Sequence, residues 1–263
     1  VAAPKLIASD LDGTLFGPDK VPESRTVEAI NAVVESGMIF AAVTGRSYFG
    51  GAKRVTSTGA SVHWFIGSNG GHRLNMASNE IEERLTFDEA DLTAMLRDFP
   101  AQIEGIGFGI EHAQGFTYDA GFHAVLPEAF DGGPRKDSAT FAADDVGKIF
   151  ATHAEFSTDE LIELTTPLVP PGTHVSTSGG RFIEFTPAGA DKGLALARLC
   201  DQLRIASDEV VAFGDNNNDV SMLRWAGRGI AMGNATGEVL GIADEVTGTN
   251  LDFGVAQVLE SLL

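Results

Sequence analysis

Short apolar runs alternate with amphipathic stretches along the first part of the chain. Lys5 to Ser9, Met38 to Val43 and Val62 to Ile66 are nearly continuous apolar runs too short for ordinary helices, and read as strands. Between the first two, Ser24 to Ser36 places Val27, Ile30 and Val34 on one face at helical spacing, and Gly37 stands where a helix end often needs a left-handed residue. With the polar stretch that follows Val43, the order reads β-α-β-α-β. Strands apolar on both faces imply burial on both, as in a parallel sheet. The idiom returns near the C-terminus: a helix from about Gly193 to Leu203, a strand at Val210 to Phe213, a helix near Val220 to Trp225 and a strand at Gly229 to Met232. These form the other half of one sheet.

From about Leu85 to Phe185 the pattern changes. A helix near Asp88 to Phe99, Gly-rich strands around Ile103 to Tyr118 and a helix near Thr158 to Leu168 precede two paired strands, Thr173 to Ser178 and Arg181 to Phe185, joined by a Gly179-Gly180 turn. Pro127 to Arg135 reads as a loop. The expected fold class is α/β: a parallel-sheet core built from residues 1–84 and 186–263, with an inserted α+β domain at 85–185.

Composition narrows the functional classes. A net charge of −19 repels nucleic-acid phosphates and anionic membranes, so neither is an expected partner. An anionic small substrate must then be held by a few local cations or a metal. At 43% hydrophobic residues the chain can bury a sizeable core, yet no run approaches the eighteen or so apolar residues of a membrane span. The first ten residues lack a signal peptide's basic start and long apolar stretch, so a cytoplasmic location is the expectation. The single cysteine, Cys200, excludes an internal disulfide and sits on an apolar stripe with Leu196, Leu199 and Leu203, as a core thiol would. The six histidines, at positions 63, 72, 112, 123, 153 and 174, show no metal-binding spacing. Oligomeric state is left open.

Candidate chemistry collects where the strands end. The first strand runs into Asp10-Leu11-Asp12-Gly13-Thr14-Leu15, with two carboxylates two residues apart at a buried strand's carboxyl end. Close carboxylates there need a cation, hydrogen bonds or a raised pKa, and a hard divalent ion such as magnesium would compensate both. The alternative is an Asx-turn in which Gly13 and Thr14 only make the bend. The second strand ends in Thr44-Gly45-Arg46, and the strand at Val210 to Phe213 in Gly214-Asp215-Asn216-Asn217-Asn218-Asp219. In an open parallel sheet these ends converge on one crevice. Each cluster taken alone is also explicable as a helix cap. Lys192 opens a helix, where the macrodipole disfavours a cation, so an anion should lie beside it. Pairing with Asp191 or solvation are the simpler explanations.

These residues resemble the haloacid dehalogenase superfamily of phosphohydrolases: Asp10-Leu-Asp-Gly-Thr-Leu matches its first motif, Thr44-Gly-Arg its second, Lys192 its third, and Gly214-Asp215 through Asp219 its fourth. About a hundred residues between the second and third motifs, and the Ser68-Asn69-Gly70-Gly71 segment, are similar to the Cof-type sugar-phosphatase branch, which has a Rossmann-like core and a large α/β cap. The resemblance implies magnesium-dependent hydrolysis of small phosphate monoesters through an aspartyl-phosphate on Asp10. Asp12 would be general acid and base. Asp10, the Asp12 carbonyl and Asp215 would hold Mg2+, with Asp219 on the metal, on its water or orienting Lys192. Leu11, Thr44, Gly45, Lys192 and Asn218 would bind the phosphoryl group, while Arg46 either reaches it or pairs with a core acid. Cap residues would meet a small phosphorylated metabolite's leaving group and set specificity. Two other readings are phosphotransfer, as in a phosphosugar mutase, and a noncatalytic phospho-ligand sensor.

Overall fold

A computed structural model describes residues 3–112, 115–127, 145–177 and 180–263. The chain divides into two compact units, one of residues 1–83 and 191–263 and one of residues 84–190.

The first unit is built on an eight-stranded sheet. Its elements are β1 (Leu6–Ser9), α1 (Ser24–Glu35), β2 (Ile39–Val43), α2 (Tyr48–Thr56), β3 (Trp64–Gly67), β4 (His72–Asn75) and β5 (Glu80–Arg84). In the second unit follow α3 (Glu89–Gln102), β6 (Gly107–His112), β7 (Gly115–Tyr118), α4 (Ala120–Val125), β8 (Val146–Thr152), α5 (Thr158–Thr165), β9 (His174–Ser176) and β10 (Ile183–Thr186). The chain then completes the first unit with α6 (Lys192–Leu203), β11 (Val210–Gly214), α7 (Val220–Trp225), β12 (Arg228–Ala231), α8 (Gly237–Ile242), β13 (Glu245–Val246) and α9 (Gly254–Glu260).

The large sheet has the order β13-β12-β11-β1-β2-β3-β4-β5. β1 lies at its middle, parallel to both β11 and β2, with Leu6 in register with Val210 and Ile39. Alternate residues of each strand enter opposite cores, which is why the strands read as unbroken apolar runs. Ile7, Phe40, Phe65 and Phe213 pack with Ile30 and Val33 of α1 and Val255 and Leu259 of α9. Leu6, Ala8, Ala41, Val43, Ile66 and Ala212 pack on the other face with Leu196, Leu199 and Cys200 of α6 and Met222 and Leu223 of α7. Each wholly buried leucine, such as Leu199, contributes about 2 kcal/mol relative to exposure.

The β-α-β-α-β reading of the first part and the helix-strand alternation of the last are present, with ends shifted by one or two residues. The hairpin of β4 and β5 was not foreseen. Its outer strand, Glu-Ile-Glu-Glu-Arg, is polar and mostly exposed, so no apolar run marks it. Nor were α8, the two-residue β13 and α9 foreseen, all short.

The second unit is a five-stranded sheet, order β7-β6-β8-β10-β9, antiparallel at every pairing. Leu92, Met95 and Phe99 of α3 and Leu161 of α5 pack with Phe108, Ile110, Ile149, Ile183 and Phe185. Asp88 caps α3 by accepting from Ala90 N, and a reciprocal Ser157–Glu160 capping box starts α5. β9 and β10 pair as expected, Glu184 opposite Ser176, but Gly179 of the expected turn lies outside the described residues. So does all of the expected loop beyond Pro127. The sequence reading missed β8, which is buried along its whole length but carries a charged residue, Lys148, in its middle. Among the described residues no helix is long and apolar enough to cross a membrane.

Candidate active site

β1 delivers Asp10 at the centre of the sheet's carboxyl edge. Asp10 Oδ1 accepts a hydrogen bond from Lys192 Nζ at 2.7 Å, and the same ammonium donates to Asp219 Oδ1 at 2.5 Å. Both carboxylates and the lysine are buried. A cation at the first position of α6 runs against the helix macrodipole, and these two anions are what holds it there. Burial alone would lower the Lys192 pKa, but Asp10 and Asp219 outweigh it and raise it. The other oxygen of Asp219 accepts from the backbone N–H groups of Asp215 at 2.9 Å and Asn216 at 3.0 Å. Asp219 thus ties the lysine to the loop after β11 and has both oxygens in use.

Asp215 stands at the end of β11. Its Oδ1 accepts from the Thr14 hydroxyl at 2.8 Å. Gly13 lies behind it with φ 88°, and a Cβ there would sit 2.3 Å from Asp215 Oδ2, so only glycine leaves room for this carboxylate. Carboxylate oxygens of Asp10, Asp215 and Asp219 all fall within 4.8 Å of one another. Burial, then repulsion from Asp219 and Asp215, pushes Asp10 up to about 8 against the pull of Lys192. Burial pushes Asp215 up to about 6, with Asp219 adding and the Thr14 hydrogen bond opposing. One lysine among three acids leaves excess negative charge once the acids ionise, with Asp10 and Asp219 buried and Asp215 half-buried. Oxygen-only donors with that excess fit a hard divalent cation such as magnesium.

Asp12, two residues on, faces other groups. Arg46 grips it with both arms of its guanidinium, Nε to Oδ2 at 2.5 Å and Nη2 to Oδ1 at 2.6 Å, and Lys20 Nζ lies 3.2 Å away. Burial would raise the Asp12 pKa, but Arg46 and Lys20 prevail and hold it below the ordinary carboxylate value. Thr44 is buried at the end of β2, its hydroxyl oxygen accepting from Arg46 N at 3.1 Å, which leaves the hydroxyl proton for another acceptor. The Asn218 amide donates to Asn69 Oδ1 at 3.0 Å. Leu11 buries its side chain in the core, so only its main chain is available to a ligand.

The carboxyl edge therefore brings Asp10, Asp215, Asp219 and Lys192 into one cluster, and pairs Asp12, two residues from Asp10, with Arg46 from the loop after β2. Sequence reasoning gave no chemical part to Thr14, Lys20 or Asn69. For Asn69 a signal was present: Ser68-Asn69-Gly70 follows the third parallel strand, whose carboxyl end faces the same edge as the other two.

The sequence profile of the haloacid dehalogenase-like hydrolases matches residues 7–259. The chain belongs to that family. It is 30% identical to the phosphatase YwpJ of Bacillus subtilis, over 98% of this chain and the whole of that one. It is 27% identical to the pyridoxal phosphate phosphatase YbhA of Escherichia coli, over 98% of each. In fold it matches the solved structure of a sugar phosphatase of haloacid dehalogenase subclass IIB, BT4131, with a TM-score of 0.85 at 21% identity, over 98% of this chain and all of that one. This haloacid dehalogenase-like hydrolase is an enzyme of the phosphatase type.

Proposed function

We propose that this hydrolase cleaves phosphate monoesters of small metabolites, sugar phosphates or related compounds, through an aspartyl-phosphate on Asp10 with Mg2+ as cofactor. The observation that carries this reading is the state of Asp10: a buried carboxylate held through one oxygen by Lys192 at 2.7 Å, with its pKa pushed up to about 8. Such a group is a nucleophile at neutral pH only when further positive charge joins it.

Asp10 Oδ2 attacks phosphorus in line while Lys192 fixes Oδ1. An acyl-phosphate bond forms, the ester P–O bond breaks, and the departing alkoxide takes a proton from Asp12. Asp12 then removes a proton from the water that attacks the acyl-phosphate, releasing phosphate and restoring Asp10. Because Arg46 and Lys20 hold Asp12 ionised, its acid role requires the substrate phosphoryl group to take Arg46 from it. Thr44, the Gly45 and Leu11 main-chain amides, Lys192 and Asn218 hold the nonbridging oxygens. Asp10, Asp215 and the Asp12 carbonyl would hold magnesium, which when bound neutralises the repulsion between carboxylates and phosphoryl dianion. Asp219, with both oxygens engaged, serves as the anchor of Lys192 and of the 215–216 backbone. Substrate choice is assigned to the inserted cap, residues 85–185.

The test is steady-state phosphate release from p-nitrophenyl phosphate, with and without magnesium, by the wild type and Asp10→Asn. Magnesium-dependent turnover that the variant lacks is expected. Turnover surviving in Asp10→Asn would remove Asp10 as nucleophile.

A further inference from the structure

The Ser68-Asn69-Gly70 segment has no part in the chemistry above, yet it is the most unusual stretch of backbone near the site. Ser68 and Asn69 take left-handed φ of 49° and 54°, and Gly70 follows at 95°. Two successive non-glycine residues in that region cost energy and persist only where their surroundings demand it. Both side chains are buried.

The contacts show what the turn joins. Ser68 N donates to Arg46 O at 2.9 Å and Asn69 N to Thr44 O at 3.0 Å, so its backbone is stitched to the loop after β2. Asn69 Oδ1 accepts the Asn218 amide at 3.0 Å, reaching the loop after β11. At Gly70 a Cβ would lie 2.4 Å from the main-chain oxygen of Asp191, so its bare backbone seats the start of α6, where Lys192 begins. One turn therefore touches three of the four segments that carry the proposed phosphoryl ligands, those with Thr44, Lys192 and Asn218. We propose that Asn69 is a positioning residue: by accepting from the Asn218 amide while its own N–H holds Thr44, it sets the spacing of the two loops that grip the phosphoryl oxygens. This inference rests on the proposed function for the identity of that grip. An Asn218 side chain without Asn69 is free to rotate, and a grip a fraction of an ångström loose loses binding without losing fold.

A double-mutant cycle tests it. Asn69→Gly deletes the amide and keeps a residue at ease at φ 54°, so the turn itself is not penalised. Asn69→Gly, Asn218→Ala and the double variant are compared in kcat and KM for p-nitrophenyl phosphate with magnesium, in competitive inhibition by inorganic phosphate, and in melting temperature. Asn69→Gly is expected to lose about tenfold in kcat/KM, mostly through KM, with phosphate inhibition weakened alike. The double variant should lose no more than Asn218→Ala alone, because Asn69 acts through the Asn218 side chain and that side chain is already gone. Losses that multiply in the double variant would overturn the proposal. So would a kcat/KM for Asn69→Gly within twofold of wild type when assayed well below its melting temperature, however far that temperature falls. Asp10→Asn bears only on the nucleophile, and the Asn69–Asn218 coupling in phosphate affinity only on the positioning, so either idea can fail alone.

Discussion

Two lysines are buried among the described residues, each near buried carboxylates but at different places in the fold. Lys192 begins a helix and meets two carboxylates, Asp10 and Asp219, brought from strand ends far apart in sequence. Lys148 lies in the middle of β8, 2.6 Å from Glu184 on the neighbouring strand β10, with its ammonium 5.1 Å from the centre of the Phe150 ring. Buried Glu111 of β6 is in register with Lys148 on its other side, and the ladder fixes all three residues. Where the ladder stops, as it does after β1, β2 and β11, backbone N–H groups and carboxylate oxygens turn toward one edge and stay available. The buried lysine at the end of regular structure is therefore assigned to the proposed reactive centre, and the one inside the sheet to a structural joint.

Replacing each lysine separates the two. Lys192→Met removes the ammonium that holds Asp10 and, in the proposed mechanism, the phosphoryl oxygens, and is expected to lower kcat/KM by about a thousandfold. Lys148→Met leaves Glu184 buried without this partner and is expected to cost about 3 kcal/mol in urea unfolding, with a smaller cost for Lys148→Met combined with Glu184→Leu. If Lys148→Met lowered kcat as far as Lys192→Met at unchanged stability, the distinction between joint and centre would fail.

The pH dependence of stability sharpens the same contrast with a smaller effect. Asp10 and Asp215 titrate higher folded, at about 8 and about 6, than the ordinary 3.8. Folding therefore favours their protonated forms, a contribution complete below about pH 4 and lost as the pH climbs to about 8. Asp12, with its lowered pKa, runs the other way and loses its contribution only as the pH falls through that value. Metal-free protein should melt lower at pH 8 than at pH 5. Magnesium should raise the melting temperature at pH 8 more than at pH 5, by about 2–4 °C. An equal gain at both pH values would remove the surplus charge as the reason for metal binding.

How much of this was legible depends on what each feature leaves in the chain. β1, β2 and β11 were visible because burial on both faces demands unbroken apolar runs. Asp10, Asp12, Thr44 and Asp215 were visible because polar residues at the ends of such runs need a reason, and Lys192 because a cation at a helix start needs an anion. β5 and β8 were not, one being polar at an exposed edge and the other interrupted by Lys148. Pairings across long sequence distances left no mark either. That Thr14 supports Asp215 across 201 residues, and that Asn69 meets Asn218 across 149, are products of strand order, which the local pattern does not contain.

The central claim is that phosphorus becomes bonded to Asp10. The protein is quenched in acid during turnover of p-nitrophenyl phosphate with magnesium, reduced with borohydride, digested and read by mass spectrometry, since reduction converts an acyl-phosphate to the alcohol. Homoserine at position 10, with aspartate intact at position 12, is the predicted result. Homoserine at position 12, or at neither position in protein quenched at full turnover, would contradict it.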